Sequence, residues 1–285
     1  MILKIRHILY YIASLLIMAA LFHTSGLAQS ASFINPLGTT VETRFMLPDG
    51  YERVPAPKNS YAYFLRRLQM LPYGTIYSNS SSEAHFAGML NMVQINNMQQ
   101  DIHLCVRLRA EYFFKQEQYD KIGFTISNFT RIFYVPWVEG LKLVINDKQH
   151  WTKQSAGVDR LRTFYNYLGF IFNHSDINTV QTDLQPISIN NIMPGDMFIQ
   201  ISHPGKAVIV LDVAYNLTTG DRIFLLAKTY SAARTASVLV NPKEAWSGSP
   251  WYTIKVGENK ITTPEFVFYK QDLRRFQGVL MTSKK

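Results

Sequence analysis

The sequence has a single cysteine, Cys105, in 285 residues. An internal disulfide is therefore excluded, and so is a metal centre built from several thiolates. The lone thiol is left as a packed core residue, an intermolecular bridge or a reactive group. The histidines do not supply a metal site either. His85, His103, His150 and His174 are scattered, without the spacing that sets two imidazoles on one helix face. No Gly-x-Gly-x-x-Gly, P-loop or Gly-x-Ser-x-Gly segment occurs, so nucleotide-binding loops and the nucleophile elbow of serine hydrolases are absent. No cofactor is expected. Charged residues make up only 17% of the chain, and Arg66-Arg67, Arg274-Arg275 and Lys284-Lys285 are pairs rather than a basic stripe. That pattern argues against nucleic acid as a partner. Past the N-terminus there is no long apolar run, so no second membrane span is expected.

What is present begins with an export signal. Lys4 and Arg6 form a short basic region, residues 8–22 are apolar apart from Ser14, and Gly26 and Ala28 suit the −3 and −1 positions of a signal peptidase site, as do Ala28 and Ser30. Residues 1–28 thus read as a cleavable signal peptide. The protein is expected in the periplasm or outside the cell, with no stable membrane span after cleavage. A single globular domain is expected over residues 39–276, and a flexible tail over 277–285. The full chain carries a net charge of +9, and removing Lys4 and Arg6 with the signal peptide leaves 27 basic against 20 acidic residues, a net +7, which suits a neighbourhood of anionic envelope polymers or headgroups. Hydrophobic residues at 47% and aromatics at 13% supply a sizeable core.

The hydrophobic pattern gives helices first and strands later. Alternation at Val41-Glu42-Thr43-Arg44-Phe45, broken by Pro48-Asp49-Gly50, predicts a short strand and a turn. Ser60 caps a predicted helix through residue 71, and the Ser-rich residues 78–91 read as a surface loop. Ile102, Cys105, Leu108 and Tyr112 fall on one stripe of a helix over 101–116. Residues 123–135 suggest two β segments around Asn128, and 158–172 an aromatic-rich helix. The last third is mostly β. Residues 197–201 form one strand, 207–214 a strand buried on both faces and ending near Asp212, and 222–227 another. Shorter strands are expected near 237–240, Trp251 and 266–268. This order argues an α+β fold with helices packed on an antiparallel sheet.

The chemistry centres on Cys105 and the strand after Gly205. A cysteine nucleophile works as a thiolate, favoured near a helix start, and needs a base on a neighbouring strand. The order here, a Cys helix followed by an apolar strand and a strand ending in Ala227-Lys228-Thr229, is similar to the papain-like cysteine peptidases of the NlpC type. Lys206, at the start of the apolar strand, and His203, in the turn before it, are the candidate bases. Arg107, Arg109 and Glu111 on the Cys helix suit either a buried ion pair or a grip on a substrate carboxylate.

The chain also resembles the exported bacterial proteins grouped as domain of unknown function 4846. The resemblance spans residues 40–276. It is carried by Arg44-Phe45 with Pro48-Asp49-Gly50-Tyr51, by Cys105 with Arg107-Leu108-Arg109-Ala110-Glu111-Tyr112, by Pro194-Gly195-Asp196-Met197-Phe198-Ile199, by Pro204-Gly205-Lys206-Ala207-Val208, and by Thr263-Pro264-Glu265. It implies a fold rather than an activity. Where the resembled pattern has Gly-His-Ala-Val, this chain has Gly205-Lys206-Ala207-Val208, and Lys228-Thr229 stands in place of Gln-Ser. A lysine is charged near neutral pH and makes a poor base unless strongly perturbed. The expectation is a degenerate peptidase-like domain that binds an envelope peptide, glycan or small anion through Lys206, Lys228, His203 and Arg109. The alternatives are an active amidase using Cys105, and a purely structural envelope protein.

Overall fold

The computed structural model describes residues 33–278, apart from 76–85, 94, 96–99, 147–148, 154–158, 203–204, 231–234 and 256. The proposed signal peptide, His203 and most of the C-terminal tail lie outside the described residues.

The fold is α+β, built on antiparallel strand pairs. Helix α1 (Val41–Arg44) is followed by β1 (Tyr51–Arg53), α2 (Tyr61–Arg66), β2 (Phe86–Met89) and α3 (Asp101–Lys115). Next come the hairpin β3 (Gly123–Thr125) and β4 (Arg131–Phe133), helix α4 (Val135–Val138), and the hairpin β5 (Leu141–Ile145) and β6 (Gln149–Lys153). Helices α5 (Arg160–His174) and α6 (Ile177–Val180) lead to β7 (Leu184–Pro186), β8 (Met197–Gln200), β9 (Lys206–Asn216), β10 (Arg222–Tyr230) and β11 (Thr235–Leu239). Strands β12 (Tyr252–Thr253), β13 (Lys260–Thr262), β14 (Val267–Tyr269) and β15 (Leu273–Phe276) complete the chain order.

Strands β9 and β10 form the spine of a nine-stranded sheet ordered β2-β11-β10-β9-β8-β15-β7. Each flank of the spine is filled by short strands in series. Along β9, β8 pairs with its first half and β1 with its end. Along β10, β12 pairs with its start and β11 with its end. Every residue of 207–214 is buried, as its unbroken apolar run requires. Ala207, Ile209 and Leu211 face the larger core with the helices, while Val208 and Val210 face a second core under β13 and β14.

One interruption of the spine matters. The pairing shifts register between Leu225 and Leu226, so that Leu211 is the extra residue of a β-bulge beside Asp212. The Asp212 carboxylate is fully buried between two arginines. Arg53 Nε and Arg66 Nε donate to it at 2.6 Å each. The apolar pattern marks this aspartate only as a strand end. In the fold it is the electrostatic tie between α2, β1 and β9.

Three local expectations are corrected. Val41–Arg44 is helical rather than extended, because Thr40 and Thr43 form a capping box that starts a turn. Within 78–91, Phe86–Met89 is a strand, since it completes the sheet by pairing with β11. Ser60 does cap α2, accepting from the Tyr63 N–H, but that helix stops at Arg66. Helix α3 runs as its stripe predicts, yet it is buried nearly all round. The sheet packs on one side and α5 on the other, with His103 stacked on Phe172 and Phe114 on Phe164. Among the described residues no helix is long and apolar enough to cross a membrane.

Candidate functional site

The beginning of β9, the end of β10 and the N-terminus of α3 converge at one end of the sheet. Three close approaches mark this end of the sheet. Thr229 Oγ1 donates to the Gln100 carbonyl at 3.2 Å, tying β10 to the residue before the helix. The Asp101 carboxylate lies near the Ala207 N–H, which draws its pKa down and brings β9 beside the first helical residue. Gly205 packs so tightly against α6 that a Cβ there would lie 2.4 Å from Ile177 Cγ2, so only glycine fits that approach.

Lys206 and Lys228 meet at this end of the sheet. Their Nζ atoms lie 4.9 and 5.1 Å from the centroid of one ring, that of Phe266. Lys228 is further held by Glu265, at 2.5 Å, and its side chain is only 12% exposed. Lys206 is half-buried and has no carboxylate partner among the described residues. The two lysines named from the sequence are thus brought together. Glu265 was only part of a family-like motif, and Phe266 was named only as the start of a strand.

Asp101 is the residue that sequence reasoning missed altogether. It occupies the helix start, where the peptidase-like reading requires the nucleophile. Burial pushes its carboxyl up to about 6, opposed by the positive charge of Lys228 and supported by the negative charge of Glu265. The signal that could have found it is positional: an acidic residue in the first turn is the one the helix dipole favours.

Cys105 lies one turn further in. It is 1% exposed and belongs to the main hydrophobic core. Burial raises its thiol pKa far above the usual range, and the nearby Asp101 charge adds to the effect. A thiol in that position is protonated and shielded from substrate. Arg109 lies elsewhere, among Tyr61, Phe113 and Phe276. Arg107 forms the expected ion pair with Glu111, 2.8 Å apart. Among the described residues no group of three or more His, Cys, Asp or Glu side chains is placed to hold a metal ion.

The architecture defines an α+β domain with a buried central helix over a long antiparallel spine, and a charged, aromatic site where the two meet. The family model described as domain of unknown function (4846) matches residues 41–275, and the chain belongs to that family. No curated protein and no solved structure matches the chain.

Proposed function

We propose that this is an exported binding domain with a peptidase-like body, whose site takes the carboxylate of an envelope peptide or glycan and performs no cysteine catalysis. The carrying observation is the pair of lysines on the Phe266 ring, with Lys228 neutralised by Glu265 and Lys206 left free of any described carboxylate. The aromatic ring offers an apolar surface beside the charge, the combination that small-molecule sites use to orient a ligand. The buried thiol supports the non-catalytic half of the reading. The basic and apolar segments of residues 1–28 support export.

Calorimetric titration with acetyl-alanyl-alanine tests the binding reading. The free acid binds, its C-terminal amide does not, and Lys206→Glu abolishes binding while the protein stays folded. Equal binding of acid and amide, or no binding of either, defeats it. Mass measurement of the protein recovered from an expressing bacterium tests export: loss of residues 1–28 is expected, and an intact N-terminus is the contrary result.

A further inference from the structure

Arg109 sits two turns along α3 from Asp101, about 12 Å down the axis. It is half-buried, and its guanidinium carbon is 4.6 Å from the Phe113 ring centroid and 5.6 Å from those of Tyr61 and Phe276. Three rings form a collar around it. Rings stabilise a cation but offer no lone pair to its five N–H donors. Arg109 Nε is buried without any hydrogen-bond acceptor, and the hydroxyl of Tyr61, in the same collar, is buried without a partner.

This is unlike the other arginines of the fold. Among the described residues, every other arginine that is buried or half-buried has an acceptor. Arg53 and Arg66 share Asp212, Arg131 has Asp183, Arg275 has Asp196, and Arg44 has the Gly38 carbonyl. Arg131 Nε is also buried without an acceptor, but its Nη atoms reach Asp183 and the Gly123 carbonyl, whereas no described residue accepts from Arg109. A buried guanidinium N–H and a buried hydroxyl left unpaired in an apolar surround cost free energy unless a guest satisfies them.

We infer that Arg109 and Tyr61 form an oxyanion site that takes a carboxylate carried on an apolar or aromatic group. The guanidinium edge and the Tyr61 O–H donate to the carboxylate oxygens, and the apolar part of the ligand lies against Phe113 and Phe276. A monoanion matches the single cation. A phosphate dianion finds too few donors in a collar that is otherwise hydrocarbon. The collar is preformed. Gly195, at φ +97°, lets the Tyr61 ring pack so closely that a Cβ there would lie 2.5 Å from it, and Tyr112 packs against the same ring with centroids 5.1 Å apart. The inference stands independently of the Lys206 site.

The test is calorimetric titration of the full chain with benzoate, benzamide and inorganic phosphate. Benzoate binds saturably, benzamide and phosphate do not compete with it, and Arg109→Gln weakens benzoate by at least about tenfold. Lys206→Met leaves benzoate affinity unchanged, which separates this site from the one proposed above. If Arg109→Gln does not fold, two milder variants serve. Arg109→Lys keeps a charge over the rings but loses the planar fork, and Tyr61→Phe removes only the hydroxyl. Each weakens benzoate several-fold. The inference is overturned by an intact protein that does not bind benzoate, by equal affinity for benzamide, by binding lost in Lys206→Met, or by Arg109→Lys and Tyr61→Phe both binding as the parent does.

Discussion

Lys228 Nζ lies 2.5 Å from Glu265 Oε2, while Lys206, over the same Phe266 ring, has no such anion among the described residues. The two lysines therefore differ in what they contribute to stability. Lys206→Met removes a cation that answers to no described carboxylate, and unfolding in urea is expected to change by less than about 0.5 kcal/mol. Lys228→Met leaves Glu265 unpaired and is expected to cost about 1 kcal/mol. Binding of acetyl-alanyl-alanine is expected to rank the other way, with Lys206→Met the more damaging. If the two variants lose stability equally, the division of roles between the lysines is wrong.

Asp101 makes the stability of the fold depend on pH. Its carboxyl is raised from an ordinary value of 3.8 to about 6, so the folded chain holds that proton more tightly than the unfolded chain does. Stability from this group is complete below about pH 4, is lost as pH rises toward 6, and stays lost above that. Asp101→Asn cannot ionise. It is expected to flatten this part of the profile and to gain about 1–2 kcal/mol over the parent at pH 8 relative to pH 4.5. Asp183 and Asp196 are raised by burial as well, but they are common to parent and variant and cancel in the comparison. Denaturant melts at pH 4.5, 6 and 8 decide the matter, and parallel profiles for parent and variant would contradict it.

The same carboxyl is expected to tune ligand binding. Protonating Asp101 removes a negative charge that acts on Lys228. Acetyl-alanyl-alanine is therefore expected to bind more tightly at pH 5.5 than at pH 7.5, and Asp101→Asn to bind at both as the parent does at the lower pH. An affinity that falls on acidification, in a ligand still ionised there, runs against this coupling.

Asp212 is where the fold is most exposed to a single change. Its side chain is 0% exposed and answers Arg53 and Arg66, whose remaining donors reach the Phe45 and Val54 carbonyls. Asp212→Ala strands two cations in the core and is expected to cost about 3–5 kcal/mol. Asp212→Asn keeps the shape but loses the charge, and is expected to fall between the parent and Asp212→Ala. Thermal melts of both variants check the order. An Asp212→Ala protein with the parent's melting point would show that water reaches the arginines.

How much was legible from the sequence follows from the range of each signal. Periodicity is local, so the stripe of α3 and the unbroken apolar run of β9 were readable in place. Capping is local too, but at Val41–Arg44 it competed with an alternating pattern, and the Thr40–Thr43 box outweighed it. Strand β2 was not readable because its reason lies about 150 residues away, in the open edge of β11. The site divided in the same way. Lys206 and Lys228 could be named because each departs from the pattern of the resembled family, Lys206 where it has His and Lys228 where it has Gln. Asp101 could not, because its significance comes from Ala207 and Lys228, which only the fold brings to it. The role of Asp212 was hidden by a bulge, which no pattern of apolar residues announces.

Cys105 gives the sharpest test of what this family member can do. The residue drew attention as the one thiol in the chain, on a helix ahead of a suitable strand. Its position one turn inside α3 removes it from the helix start, and its burial in the main hydrophobic core closes off its sulfur. Two consequences follow from burial alone. The thiol is expected to resist iodoacetamide at pH 7.5 in the folded protein and to react fully once guanidinium chloride unfolds the chain, with a folded rate that rises only as the whole domain opens. Cys105→Ala is expected to cost about 1 kcal/mol, the loss of a small buried group, and to leave acetyl-alanyl-alanine binding intact. Labelling of the native protein at the rate of a free thiol would place the sulfur at a surface and restore the nucleophile. Loss of ligand binding in Cys105→Ala without loss of stability would tie the thiol to the site by a route other than packing.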